Sequence, residues 1–289
     1  MHSPFVLFLF SSTDLFGSAV VCLGYRDTLG AQSGAPRYWL ETLAVVTVLQ
    51  FGGTTLTGLA LGQTPSWLSS HTASNSLILA WWATFFCPFD AWYRLLSLRA
   101  VRFGVVVGAW FATAHAVTSW GMDKALAADH LKAQGSLLVA LLSGTMSCCG
   151  GGLIASAFNL TEPTWRFQKA AVFCGPHFGI EKGFVCAVCY YILRDPHGLL
   201  WPAAVLEPTD ARAVTSLLMV ELSLTKFFFP SWRITEVRGS FIGHTLTTFL
   251  TSASAYCLFP QMLGQLFSLP LGVQPYVDVS KKVDKLKAA

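Results

Sequence analysis

Seven runs of about 20 mostly apolar residues constrain this chain more than any other feature, because a helix needs about that length of apolar sequence to cross a bilayer. They fall at 5–23, 39–61, 76–96, 101–121, 135–157, 171–193 and 213–229. Only 12% of the 289 residues are charged and 53% are hydrophobic. An ordinary soluble domain carries roughly 25% charged residues. A charged fraction this low cannot clothe a water-facing surface, so much of the outside must meet lipid. The expected fold is an all-α integral membrane protein. The first run lacks a preceding Lys or Arg and is interrupted by Asp14, so it is read as a retained helix and not a signal peptide. A weaker stretch at 240–259, rich in Thr and Ser, is open to three readings: an eighth span, a re-entrant piece or an interfacial helix. Residues 1–230 therefore read as one transmembrane bundle, and 231–289 as a C-terminal segment with a basic tail.

Loop charges orient the bundle. With the N-terminus outside, the inner loops collect Arg26, Arg37, Arg94, Arg99, Arg102, Arg166 and Lys169, and the segment after the seventh run adds Arg233 and Arg238. The outer loops carry only Lys124, Lys132, Arg194 and Arg212. This asymmetry predicts a luminal N-terminus and a cytosolic C-terminus. The final Lys285-Leu286-Lys287-Ala288-Ala289 has the form of a retrieval signal for the endoplasmic reticulum, which would act only on the cytosolic side. The net charge of +4 is dispersed, with no basic cluster interleaved with aromatics, so no nucleic-acid partner is expected.

An internal repeat gives the organisation. Gly52-Gly53 precede Pro65 and Trp67, and Gly150-Gly151 precede Pro163 and Trp165 at the same offsets. The copies lie in the second and fifth runs, and the odd separation of three runs inverts one copy relative to the other. Two inverted three-helix repeats (5–96 and 101–193) plus a seventh helix (213–229) are thus expected. Paired glycines weaken a helix, permit a bend and let two backbones approach. They suit a hinge beside a narrow polar path, or simply close packing. The hydroxyls nearby, Thr54, Thr55, Thr57, Ser143, Thr145 and Ser147, can replace part of a cation's water shell.

The same residues carry a family resemblance. Phe51-Gly52-Gly53, Leu56, Leu61-Gly62 and Pro65 resemble the second helix of the trimeric intracellular cation channels. Phe86-Cys87-Pro88-Phe89-Asp90-Ala91-Trp92-Tyr93 is similar to that family's F-C-P-x-D-x-x-Y block. Asp14, Lys182 and Lys226 fall where the family has an acidic residue and lysines. The resemblance implies a homotrimer with one pore per subunit, between the second and fifth helices. It also implies potassium-type monovalent cation flux across the endoplasmic reticulum, balancing charge during calcium release. One departure matters: the family's basic fourth-helix motif, which holds a phosphoinositide, is replaced here by residues 108–116 without Lys or Arg. Ser147 stands near the place of a family lysine. A phosphoinositide site of the family's type is therefore not expected, and membrane lipid is the only lipid partner foreseen.

The remaining polar residues divide simply. Asp14, Asp90, Lys182, Glu221 and Lys226 are charges at membrane depth, a costly placement that points to function or to a partner charge. Asp90 is expected to pair with Arg94 one turn on, and His115 to sit in the core. The eight cysteines all lie in apolar runs, and Cys186-x-x-Cys189 has no second pair at zinc spacing, so neither a disulfide framework nor a metal site is expected. His177 and Glu181 are spaced to share a proton or a metal. No H-E-x-x-H, G-x-S-x-G or P-loop occurs, and no cofactor or enzymatic role is expected. The rivals to a channel are a secondary transporter, since inverted repeats also build carriers, and a non-conducting relative.

Overall fold

The computed structural model describes residues 4–31, 38–128, 136–162, 164–170, 177–194 and 206–228, with side chains in the first helix from Thr13 to Gly30. The stretch 240–259, the tail, Pro163, Cys174 and Cys257 lie outside the described residues. Every regular element described is helical.

Seven long helices run through the chain: α1 (Pro4–Ala31), α2 (Trp39–Ala60), α3 (His71–Phe86), α4 (Arg99–Ala127), α5 (Leu137–Ala157), α6 (Phe178–Arg194) and α7 (Pro208–Phe228). Among the described residues α2, α4 and α5 are long and apolar enough to cross a membrane by length and composition alone. α3 and α6 are shorter, and α7 carries Asp210, Arg212, Glu221 and Lys226. The expected spans locate the helices but misplace several ends. α1 and α4 run on past residues 23 and 121, and α7 starts before 213, because polar residues at a bilayer boundary stay helical while failing an apolar window. Pro208 opens α7 at the first helical position, where its missing N–H leaves no bond unmade.

The span expected at 76–96 requires correction. α3 begins at His71, where Ser70 caps it by accepting from the Ala73 amide at 3.4 Å. It stops at Phe86, because Pro88 cannot continue the amide ladder and holds Cys87 extended. Phe89 and Asp90 follow with φ of 58° and 55°, turning the chain into a separate short helix, Ala91–Ser97.

Among the described elements, α2 and α5 form the most extensive contact. α1 packs on α3 and α4, α5 on α4 and α6, and α7 closes against α4 and α6. α2 and α5 also end alike. Gly62 leaves α2 at φ 62° and Asn159 leaves α5 at φ 53°. In each, the next amide reaches back to a carbonyl in the last turn: Gln63 to Gly58 at 2.8 Å and Leu160 to Ala155 at 2.9 Å. This helix ending needs a left-handed residue, for which glycine and asparagine are the usual choices. The inverted repeat thus extends from the glycine pairs to the helix ends.

α4 departs from α-helical geometry once. Ala116–Asp123 form a π-helical stretch before a last α-turn, Lys124–Ala127. Such wide turns are rare and concentrate at functional positions.

Candidate functional site

The site is built from the α2–α5 crossing and from two ionic clusters at the ends of α4. At the crossing the two backbones touch. A Cβ added at Gly53 would lie 2.6 Å from the Met146 and Ser147 carbonyls, and one at Gly150 would lie 2.6 Å from the Gly53 α-carbon. One at Gly52 would meet the Gly151 α-carbon at 2.9 Å, and one at Gly151 would strike the Leu49 carbonyl. No side chain larger than hydrogen fits at any of the four positions. Both helices run uninterrupted through their glycine pairs.

Hydroxyls lock the crossing. Thr57 Oγ1 lies 3.0 Å from Ser147 Oγ and donates to the Ser143 carbonyl at 3.2 Å. Thr54 accepts from Ser66 Oγ at 2.8 Å, and Thr55 accepts from Trp67 Nε1 at 3.1 Å. Trp67 stacks on Phe51 at 6.1 Å, so the Pro-x-Trp of the first repeat buttresses its own glycine helix. Trp165, its counterpart, is half exposed at 49%. Ser147 and Thr54 are buried beside the four glycines.

The intramembrane charges separate. Asp14 is half-buried on α1, one turn before Gly17, where a Cβ would face Gln50 of α2 and Ala112 of α4. Lys182 of α6 and Lys226 of α7 converge on one ring, Phe178, at 5.6 and 5.7 Å. Glu221 lies half-buried on α7. Asp90 does not pair with Arg94. The left-handed turn after Pro88 swings its carboxylate toward α1, where Arg26 meets it at 2.9 Å. Arg94 is exposed on the short helix.

That corner holds more than one pair. Arg26 also donates to the Thr84 carbonyl and lies 4.2 Å over the Tyr93 ring. The neighbouring Asp27 accepts from Tyr93 Oη at 2.9 Å and from Arg102 at 2.6 Å. The Asp and Tyr of the F-C-P-x-D-x-x-Y block thus serve one purpose: both fasten the end of α3 to the end of α1, and Arg102 adds the start of α4.

A second cluster repeats the pattern at the far end of α4. Asp123 accepts from Tyr190 Oη at 2.8 Å and from Arg212 Nη2 at 2.6 Å and Nε at 3.1 Å, and it also pairs with Arg194. Asp27 of α1 with Tyr93 and Arg102 thus forms a set of the same residue types as Asp123 of α4 with Tyr190 and Arg212. The two clusters are separated along α4 by the stretch from Arg102 to Asp123, roughly 30 Å at 1.5 Å per residue, which is about the thickness of the hydrocarbon core. Reading along the chain missed these residues. The signal was present as an Asp and a Tyr recurring at nearly the spacing of the glycine pairs: 27 to 123 and 93 to 190, against 52 to 150.

Comparison with known proteins follows the same elements. The sequence profile described as TRIC channel matches residues 37–199. The trimeric intracellular cation channel type B of Danio rerio is 26% identical over 159 residues, covering 55% of this chain and 53% of that one. Type B-A of Xenopus laevis is 24% identical over 161 residues, 55% of each chain. The chain spans about half the length of the curated relatives it matches. A solved trimeric intracellular cation channel from C. elegans, in the absence of Ca2+, superposes with a TM-score of 0.61 at 20% identity over 76% of this chain and 91% of that one. A structure described as the basis for activity of TRIC counter-ion channels in calcium release gives 0.60 at 18% identity, over 76% and 93%. At such identities the superpositions establish a shared fold.

Proposed function

The chain belongs to the TRIC channel family, and from that premise we propose that it is a channel for monovalent cations of the potassium type, assembled as a homotrimer. Its membrane is an intracellular one, the endoplasmic reticulum, with the N-terminus luminal and the C-terminus cytosolic. Its task is counter-ion flux. Each subunit carries its own path at the α2–α5 crossing.

One observation carries this reading: among the described elements the most extensive helix contact brings bare backbone together at four glycines, with the hydroxyls of Thr57, Ser143 and Ser147 beside them. Helices that meet backbone to backbone through glycine can part once the Thr57 hydroxyl releases Ser143 and Ser147. Once parted, Thr57, Ser143 and Ser147 present oxygens to a cation. The described crossing is shut, so conduction requires α5 to move off α2. Residues 108–116 carry no Lys or Arg, and part of this stretch faces α1. A Cβ at Gly108 would strike the Phe16 ring, and Ala112 lies against Gly17.

The test is electrical. Purified protein in planar bilayers between unequal potassium chloride solutions should show unitary current steps that reverse toward the potassium equilibrium potential. Saturable, stepless flux would identify a transporter, and silence from an intact trimer a structural relative. Either result would reject the proposal.

A further inference from the structure

Asp123 holds three elements with one carboxylate: α4 on which it sits, the end of α6 through Tyr190 and Arg194, and the first turns of α7 through Arg212. Its side chain is only 16% exposed, against 31% for Asp27 in the inner cluster, and Tyr190 is fully buried. Charge-assisted hydrogen bonds to a carboxylate in such a dry place are strong.

Asp123 also closes the π-helical stretch. Within that stretch Gly121 lies backbone to backbone on α5: an added Cβ would be 2.6 Å from the Gly144 α-carbon and 2.8 Å from the Ser143 carbonyl. That same Ser143 carbonyl accepts from Thr57 of α2. A continuous line of contacts therefore runs from the Asp123 carboxylate, through Gly121 and Ser143, to the α2–α5 crossing.

Resting on the channel reading above, we propose that Asp123 is a gating residue, the outer latch that presses α5 onto α2 and keeps the crossing shut. It acts by position, through Gly121 and α5, and does not touch the permeating ion. The inner cluster is not its equal. Asp27 is backed by the separate Arg26–Asp90 pair, so loss of one carboxylate there leaves the corner fastened, and no π-helical segment joins it to α5.

The test joins a structural and an electrical readout in the full-length protein. Thr57→Cys with Ser147→Cys places two thiols where the hydroxyls now lie 3.0 Å apart. Copper–phenanthroline should link them quickly, with the 57–147 peptide identified by mass. Adding Asp123→Asn should slow linking at least fivefold. Asp123→Glu should restore the rate, and Asp27→Asn should change it less than twofold. In recordings without the added cysteines, Asp123→Asn should raise open probability at least fivefold at unchanged unitary conductance. Should Asp123→Asn fail to assemble, Tyr190→Phe, which removes one donor, is held to the same directions. An assembled variant that links at the parental rate overturns the latch. Linking does not depend on conduction, so a silent parent protein would sink the channel reading and leave the latch to be judged by its rate.

Discussion

At the scale of single residues, the four crossing glycines are distinguished from their neighbours by what a methyl group would meet. Gly152 stands beside Gly151 yet has open space around its Cβ position, while Gly53 faces two carbonyls. Gly53→Ala overpacks the crossing and should cost about 1–3 kcal/mol. Gly152→Ala should be neutral or stabilising by up to about 1 kcal/mol, the helix-propensity gain. Thermal unfolding of the two variants in one detergent decides this, and equal midpoints would mean the crossing is looser than described. Asn159 is a second informative residue. It stands in the sequon Asn159-Leu160-Thr161, but its side chain accepts from Gln168 at 3.1 Å and its backbone is left-handed. With this residue on the proposed cytosolic side, no mobility shift on glycosidase treatment is expected in cells; a shift would reverse the orientation. The glycines were legible because a doubled Gly-Gly with a matching Pro-x-Trp is a pattern in one dimension. The two aspartate clusters were not, because Asp27 and Asp123 find their partners 66 to 89 positions away. Loop charges read as topology markers gave no hint that the same arginines are structural.

At the scale of elements, helix existence was readable and helix ends were not. Apolar windows discard the charged turns at a membrane boundary, and those turns carry Arg26, Asp27, Asp123 and Arg212. The block around Pro88 shows the complementary error. Its proline was visible, but a run of Phe and Trp on both sides read as one span, where the chain in fact turns through two left-handed residues. This matters for the partner of Asp90. Its pair with Arg26 is partly exposed, the Asp90 side chain at 49%, so Asp90→Asn should cost less than about 1 kcal/mol. Arg94→Ala should cost nothing measurable. A double-mutant cycle of Asp90→Asn with Arg26→Gln should show coupling, and the cycle with Arg94→Gln none. The reverse pattern would restore the continuous-helix reading of 76–96.

At the scale of the molecule, the two halves repeat one plan: a crossing helix with paired glycines, a left-handed helix ending, and an Asp–Tyr–Arg cluster at the boundary. The clusters stand at opposite ends of α4, which is fastened to α1 at one end and to α6 and α7 at the other. A trimer built from such units should cross-link in mild detergent to three subunits and no further, and a ladder ending at two or four would contradict the assembly. The central claim is that ions pass where α2 meets α5, and the most direct measurement is a paired bilayer recording of Gly53→Leu and Gly152→Leu, each first confirmed as an intact trimer by mass. Gly152→Leu should show parental unitary steps in a potassium gradient, and Gly53→Leu none. Parental steps from an assembled Gly53→Leu trimer would place the path elsewhere.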